Sequence, residues 1–190
     1  MIGVLPVTLE VGGVNYPINS DFRTVLYIFE AFNDSKLADE EKCLVCLYCL
    51  YQNADDIPQE HLQEAIEKAY WFCDGGDMPK SAPEKIRTLD WAHDEGIIFP
   101  AVNKTAGFEV RSCEYMHWWT FLGIFGEISE GLFTTVMHIR QKRAQGKKLE
   151  KWEREFFKKN RGLVEIVSAQ DKREKEEDEA FLRELLKKNC

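Results

Sequence analysis

Val7-Thr-Leu-Glu-Val-Gly-Gly-Val-Asn-Tyr-Pro-Ile18, followed at once by Ser20-Asp-Phe-Arg-Thr-Val-Leu-Tyr-Ile-Phe-Glu-Ala-Phe32, decides the fold class. Two short β-type runs flank Gly12-Gly13, a two-residue loop in which glycine supplies positive φ without steric cost. Pro17 lacks a ladder donor, so the second strand lies at an edge or ends there. The next segment changes period. Ser20 or Asp21 caps a helix to about Phe32 with Phe22, Val25, Leu26, Phe29 and Phe32 on one face. A lone hairpin is marginal in water, so this one must pack on helices. The expected fold is mainly α: a multi-helix globular domain with a short N-terminal β-hairpin over 7–18 and a charged C-terminal helical arm.

Working outward, a second helix is expected over about Asp39–Gln52, acidic in its first turn, where negative charge suits the helix dipole. Asp56 is positioned to cap a third, with Pro58 in its first turn and its end near Cys73. Residues 74–83, rich in glycine and proline, form the linker candidate. Beyond them a helix is expected over Glu84–Phe99, kinked or ended by Pro100, then an aromatic helix over Tyr115–Phe125 and another from Ser129 to Ala144. The division follows: a helical domain over 1–145 and a charged helical arm over 146–190. In the arm, Leu149, Trp152, Phe156 and Phe157 make an apolar stripe in a charged helix, spaced for docking on another surface. Gly162 interrupts, Leu163–Val167 is a short apolar run, and Ser168 caps a terminal helix carrying Phe181, Leu182, Leu185 and Leu186.

At 190 residues, 44% hydrophobic and 31% charged, the chain can bury a real core. Its longest uncharged stretches, Cys43–Ala54 and Tyr115–Gly126, are 12 residues each, too short for a bilayer span, and the start lacks a basic flank and an apolar signal segment. A soluble, unsecreted protein is expected. Charge is uneven: residues 1–140 hold 10 Lys/Arg against 22 Asp/Glu, whereas residues 141–190 hold 15 against 11. An acidic body repels phosphate backbones, so nucleic-acid binding by it is disfavoured. Six cysteines include Cys43, Cys46 and Cys49, a spacing seen in iron–sulfur sites. The following Cys-Pro is missing and helical spacing lays the three along one stripe, so they are read as core.

Motifs for phosphate loops, dinucleotide binding, zinc hydrolysis and a serine elbow are absent, and His61, His93, His117 and His138 have no ligand-spaced partner. No catalytic, cofactor-binding or metal residue is assigned, and a non-enzymatic protein is expected. Asp90 and Asp94, four apart on the expected fourth helix, have two readings: a functional acid–base or cation pair, or a structural role, either as a solvated acidic face or as a carboxylate answering Arg87 or Lys85. The second is preferred for want of another converging acidic cluster. Trp118 and Phe121 are read as core, while Trp119 faces about 100° away. Trp119, Leu149, Trp152 and Phe156 are therefore the partner-binding candidates.

Leu89-Asp-Trp-Ala-His-Asp94, Ile97-Ile-Phe99, Tyr115-Met-His-Trp-Trp-Thr-Phe121 and Phe133-Thr-Thr-Val-Met-His-Ile-Arg140, with Asp21-Phe-Arg23 and Glu40-Glu-Lys42 before them, resemble the bacteriophage gene-product-fifteen family of siphophage and prophage tail modules over roughly residues 1–150. The chain departs from that pattern at Pro100-Ala-Val-Asn and Gly107-Phe-Glu-Val110. The resemblance implies a tail assembly chaperone in the host bacterial cytoplasm. Its partners would be the tape measure protein, the tail tube protein that replaces it, and further copies of itself, without membrane or catalytic site. A structural minor tail or connector protein retained in the virion is the alternative. For the chaperone, the stripe at Leu149, Trp152 and Phe156 would mediate self-association or dock back on its own chain.

Overall fold

The computed structural model describes residues 3–76 and 88–166. The remainder of the linker candidate, the expected start of the helix at Glu84, Lys85 and Arg87, and the expected terminal helix fall outside the described residues.

The hairpin forms as its glycines require. Strands β1 (Thr8–Val11) and β2 (Val14–Pro17) pair antiparallel with Leu9 opposite Tyr16 and Val11 opposite Val14. Gly12 and Gly13 both take positive φ, 57° and 78°, which matches the right-handed strand twist. Leu9, Val11, Tyr16 and Ile18 are buried, so the ribbon turns one face inward. It lies against helix α3 (Leu62–Cys73), where the Gly12 N–H donates to Glu64 Oε2 at 3.0 Å. A Cβ on Gly12 would stand 2.7 Å from the His61 ring, so only glycine admits this approach.

Helix α1 (Phe22–Asn33) begins where its cap predicts: Asp21 Oδ1 accepts from the Arg23 N–H at 3.0 Å. α2 (Asp39–Leu50) follows, its start closed by Glu41, whose carboxylate accepts from the Ala38 N–H at 2.7 Å. The third helix begins later than expected. Residues Ala54–Asp56 and Gln59–His61 form two separate 3-10 turns, and α3 starts only at Leu62. Pro58 precedes the second turn in extended conformation, which breaks the continuity that a cap at Asp56 would need.

The second half departs further. α4 runs from Glu95 to Ala106, so it starts later than expected, with residues 88–94 outside the helix, and of the two outcomes expected at Pro100 the ending is the one corrected, since the helix continues through it. Proline inside a helix costs ~3 kcal/mol. Here the same helix buries Ile97, Ile98, Phe99 and Val102, each contributing roughly 1.5–3 kcal/mol, and burial wins. Asp90 and Asp94 therefore share no helical face: Asp90 precedes the helix and Asp94 is its N-cap residue. α5 is Trp118–Gly126 and α6 is Leu132–Ala144, each starting three residues late, after His117 and Gly131 respectively. α7 (Lys151–Lys159) and α8 (Arg161–Val164) close the described chain, and the break between them is at Asn160 rather than Gly162.

The core is largely aromatic. Phe22 stacks on Phe121 at 4.7 Å between centroids, Trp118 stacks on Phe121 at 5.7 Å, and Trp91 closes the cluster against Phe29 and Phe125. Trp118 and Phe121 are buried as their spacing predicts. Of the helical cysteines, Cys46 is buried, and Cys43 and Cys49 are half-buried.

Arg140, on α6, fastens the second half together. Its Nη1 and Nη2 donate to Asp94 Oδ2 and Oδ1 at 2.6 and 2.7 Å. The remaining donors reach the carbonyls of Thr88 at 3.0 Å, Leu163 at 2.7 Å and Val164 at 2.8 Å. All five guanidinium N–H groups are thus occupied, and Arg140 is 6% exposed and Asp94 0%. Burial pushes the Asp94 carboxyl up, but the hydrogen bonds from Arg140, His93 and the Asp90 N–H outweigh it and hold the carboxyl below its ordinary range.

Asp94→Asn leaves a buried guanidinium without its counter-charge, and is expected to cost about 3–5 kcal/mol in urea unfolding. Arg140→Lys, with three donors and no fork, is also expected to destabilise strongly. A loss below about 1 kcal/mol in either variant would contradict this role for the pair.

Candidate functional site

No group of three or more His, Cys, Asp or Glu side chains is placed to hold a metal ion among the described residues. No described helix is long and apolar enough to cross a membrane. The surface features that stand out are apolar: two clefts on either side of α4, and isolated exposed aromatics.

The first cleft, about 450 Å³, lies between α1 and the Trp91–Phe99 stretch. Phe22, Leu26, Tyr27, Trp91 and Phe99 supply its apolar lining, and Arg23, Glu30, Glu95 and Arg111 its rim. Tyr27 is 65% exposed, although it sits on the helix whose neighbours Val25 and Ile28 are fully buried. Both rim arginines are held in place. Arg23 Nη1 donates to both carboxylate oxygens of Asp21 at 3.0 Å, and its Nη2 donates to the carbonyls of Arg111 and Cys113 at 3.0 and 2.6 Å. Arg111 Nε donates to Glu109 Oε1 at 2.8 Å, a bond that holds the Glu109 carboxyl down at about 2. Their guanidinium planes lie over Phe22 and Phe99, 4.5 and 4.8 Å from the ring centroids. The second cleft, about 430 Å³, runs between α4 and the 127–133 turn and includes Ile97, Pro100, Ile128 and Leu132.

The four sequence candidates separate. Trp119 is half-buried, with its indole N–H donating to the Phe72 carbonyl at 2.9 Å. The adjacent Trp118 donates to the Cys73 carbonyl at 2.8 Å, so two consecutive indoles close the C-terminal end of α3. Trp119 also lies against Trp71 and Phe72, and a Cβ on Gly76 would come within 3.0 Å of its ring. Leu149 and Phe156 pack partly against the core, as Phe157 does beneath Arg143. Trp152 points outward, 51% exposed, its indole N–H on Glu150 at 2.9 Å. The structure therefore does not gather the four into one surface.

Glu153 holds that geometry. It is fully buried at the root of α7, where Oε1 accepts from Lys142 Nζ at 2.6 Å and lies 3.0 Å from His138 Nε2. Its Oε2 accepts the Glu150 N–H at 2.6 Å. The Lys142 hydrogen bond, against burial, lowers the Glu153 carboxyl below its ordinary 4.5. Because α6 and α7 are tied through this carboxylate, Trp152 is turned away from the core.

Sequence reasoning missed His117 as well. It is 4% exposed and caps α5: the Trp119 N–H can only donate, so Nδ1 accepts it at 3.0 Å and Nε2 is left to donate to the Pro6 carbonyl at 2.9 Å. The signal available was its position, immediately before the apolar run that begins at Trp118.

A carboxyl lowered on folding stabilises above its unfolded value and loses that contribution as pH falls through the folded one. Asp94 and Glu153 therefore contribute fully above their ordinary values of 3.8 and 4.5, and wild-type melting temperature should fall on acidification below that range. Glu153→Gln should flatten part of this fall and speed amide exchange across Lys151–Lys159, while leaving α1 protected. Unchanged exchange in α7 would remove Glu153 from the role given to it.

A protein-family model described as Bacteriophage Gp15 protein matches residues 1–166, beyond the limit near residue 150 that the sequence motifs suggest. No curated protein matches the chain, and no solved structure does. The matched span takes in every described element, from the hairpin to α8 and the carbonyls that Arg140 holds. The chain belongs to the bacteriophage Gp15 protein family.

Proposed function

We propose that this protein is a tail assembly chaperone: it binds the tape measure protein in the host bacterial cytoplasm and keeps it soluble until tail tube protein takes its place, without catalysing a reaction. The observation that carries this reading is the cleft beside α1, in which Tyr27 is exposed and Leu26 and Trp91 are half-buried over a floor formed by the buried rings of Phe22 and Phe99. An amphipathic helix presents side chains at i, i+3, i+4 and i+7, and a cleft of this size takes such a ridge. Membership of a bacteriophage family is consistent with a structural or assembly role, and the cleft favours assembly. A client that must later be released is best held by shallow, repeated contacts rather than one deep pocket.

The rim suits an amphipathic client. Arg23 and Arg111 face the apolar floor from one side and Glu30 and Glu95 complete the border, so a client helix meets both signs of charge beside an aromatic strip. The body around it remains acidic, which keeps a loaded complex soluble.

Co-expression with the tape measure protein tests the proposal. A soluble complex containing several copies of this chain is expected, with this chain absent from purified virions. Tyr27→Glu, at an exposed position, should fold normally and reduce client recovered in pull-down at least about tenfold. An insoluble client, or this protein retained in the virion, would favour a structural tail or connector component.

A further inference from the structure

Two exposed aromatic patches of opposite surround lie outside the cleft. On α2, Leu44 and Tyr48 are 52% and 58% exposed one turn apart, with Glu40 and Glu41 one turn before them and Asp55 bonded to the Tyr48 hydroxyl at 2.7 Å. The segment 22–73 that carries this patch holds 4 Lys/Arg against 10 Asp/Glu. On α7, Trp152 stands exposed in the segment 142–161, which holds 9 Lys/Arg against 3 Asp/Glu. Lys147, Lys148, Lys151, Arg154, Lys158 and Lys159 make no ion pair among the described residues. The patches thus carry −6 and +6 in their segments, and each has an aromatic at its centre.

Among the principal helix contacts, the two helices that carry them are joined through others rather than directly to each other. Contacts run from α2 to α1, then to α5, α4, α6, α8 and α7, which places the patches at the two ends of the series. We infer that they are the two halves of one interface between copies of this chain: the Trp152 face of one copy docks on the Leu44/Tyr48 face of the next. Such a contact is heterologous. Each copy used at one end leaves its other end open, so assembly proceeds to a ring or a chain rather than stopping at a two-fold dimer. Complementary fields steer the encounter, and the two aromatic centres supply the desolvated contact. The interface uses neither Tyr27 nor the client cleft, so it stands independently of the proposed client.

Two variants and their mixture test this with the full-length chain alone. Leu44→Lys/Tyr48→Lys destroys the acidic face, and Trp152→Glu destroys the basic one. Both alter exposed side chains, and thermal melting of each checks folding. Light scattering across low to high micromolar concentration should show wild-type mass rising with concentration and falling with added salt. Each variant alone should associate at least about tenfold more weakly. Mixed in equal amounts, the variants keep one good face each that still fits the other, so a one-to-one dimer that grows no further is expected. Wild type that stays monomeric, variants that associate like wild type, or a mixture that stays monomeric would each overturn the inference.

Discussion

The fork between Arg140 and Asp94 is the constraint on which the second half depends. A guanidinium removed from water is tolerated only if every donor is met, and here the partners come from three places in the chain: the approach to α4, the N-cap of α4, and the last carbonyls of α8. One side chain therefore sets where α4 begins and where the C-terminal helices return. Asp94 makes the requirement mutual, because its carboxylate also accepts from the Asp90 N–H at 3.0 Å and contacts His93 Nδ1 at 2.8 Å. His93 Nε2 lies 3.1 Å from the Gly162 carbonyl, so the same knot reaches α8 by a second route.

The first half has its own pin. Asp21 caps α1, pairs with Arg23 and accepts the Met116 N–H at 3.0 Å, while the Phe22 N–H donates to the Met116 carbonyl and the Trp118 N–H to that of Ser20. These bonds bring the start of α5 against the start of α1, which lets Phe22 stack on Phe121. Asp21, Arg23, Asp94, Met116, Trp118 and Arg140 all lie in the stretches that carry the family resemblance. In this structure they hold elements to one another. The resemblance therefore speaks chiefly to architecture: the motifs reach the walls of the cleft at Phe22, Arg23, Trp91 and Phe99, whereas the exposed side chains Tyr27, Tyr48 and Trp152 lie outside them.

That distinction explains what was legible beforehand. The hairpin and α1 were readable because their determinants are local: two glycines at positive φ, an aspartate cap, an apolar face at helical spacing. α4 was not. Its periodicity was real, but its start is set by a carboxylate held 46 residues away by Arg140, and the burial of Ile98 and Val102 carries it through a proline that local rules leave as either a kink or an end. Asp94 was recognised as unusual, but its partner Arg140 lies 46 residues on and is near only in space. The candidate surface was legible in part. Trp152 stands out as an exposed aromatic in a charged helix, whereas nothing local distinguished it from Phe156, which turns inward because Glu153 fixes the roll of α7.

The net charge of −8 is a poor guide to how such a molecule meets others, because it averages two ends of opposite sign. Field complementarity acts over about a Debye length, roughly 8 Å at physiological salt, so a docking patch senses the charges around it and not the total. The acidic end carries its apolar centre on α2, packed on α1 and α3, and the basic end carries Trp152 on α7, anchored through Glu153. Both aromatic centres thus sit on supported helices, which lowers the entropy lost when they are covered. The cleft proposed for the client lies beside α1 and α4, between those helices in the packing series. Successive copies joined end to end would therefore repeat the cleft at a fixed spacing along an assembly. For a long helical client of the kind proposed, that arrangement would be useful: each cleft would bind weakly, the row would bind well, and removal would proceed one copy at a time from an end.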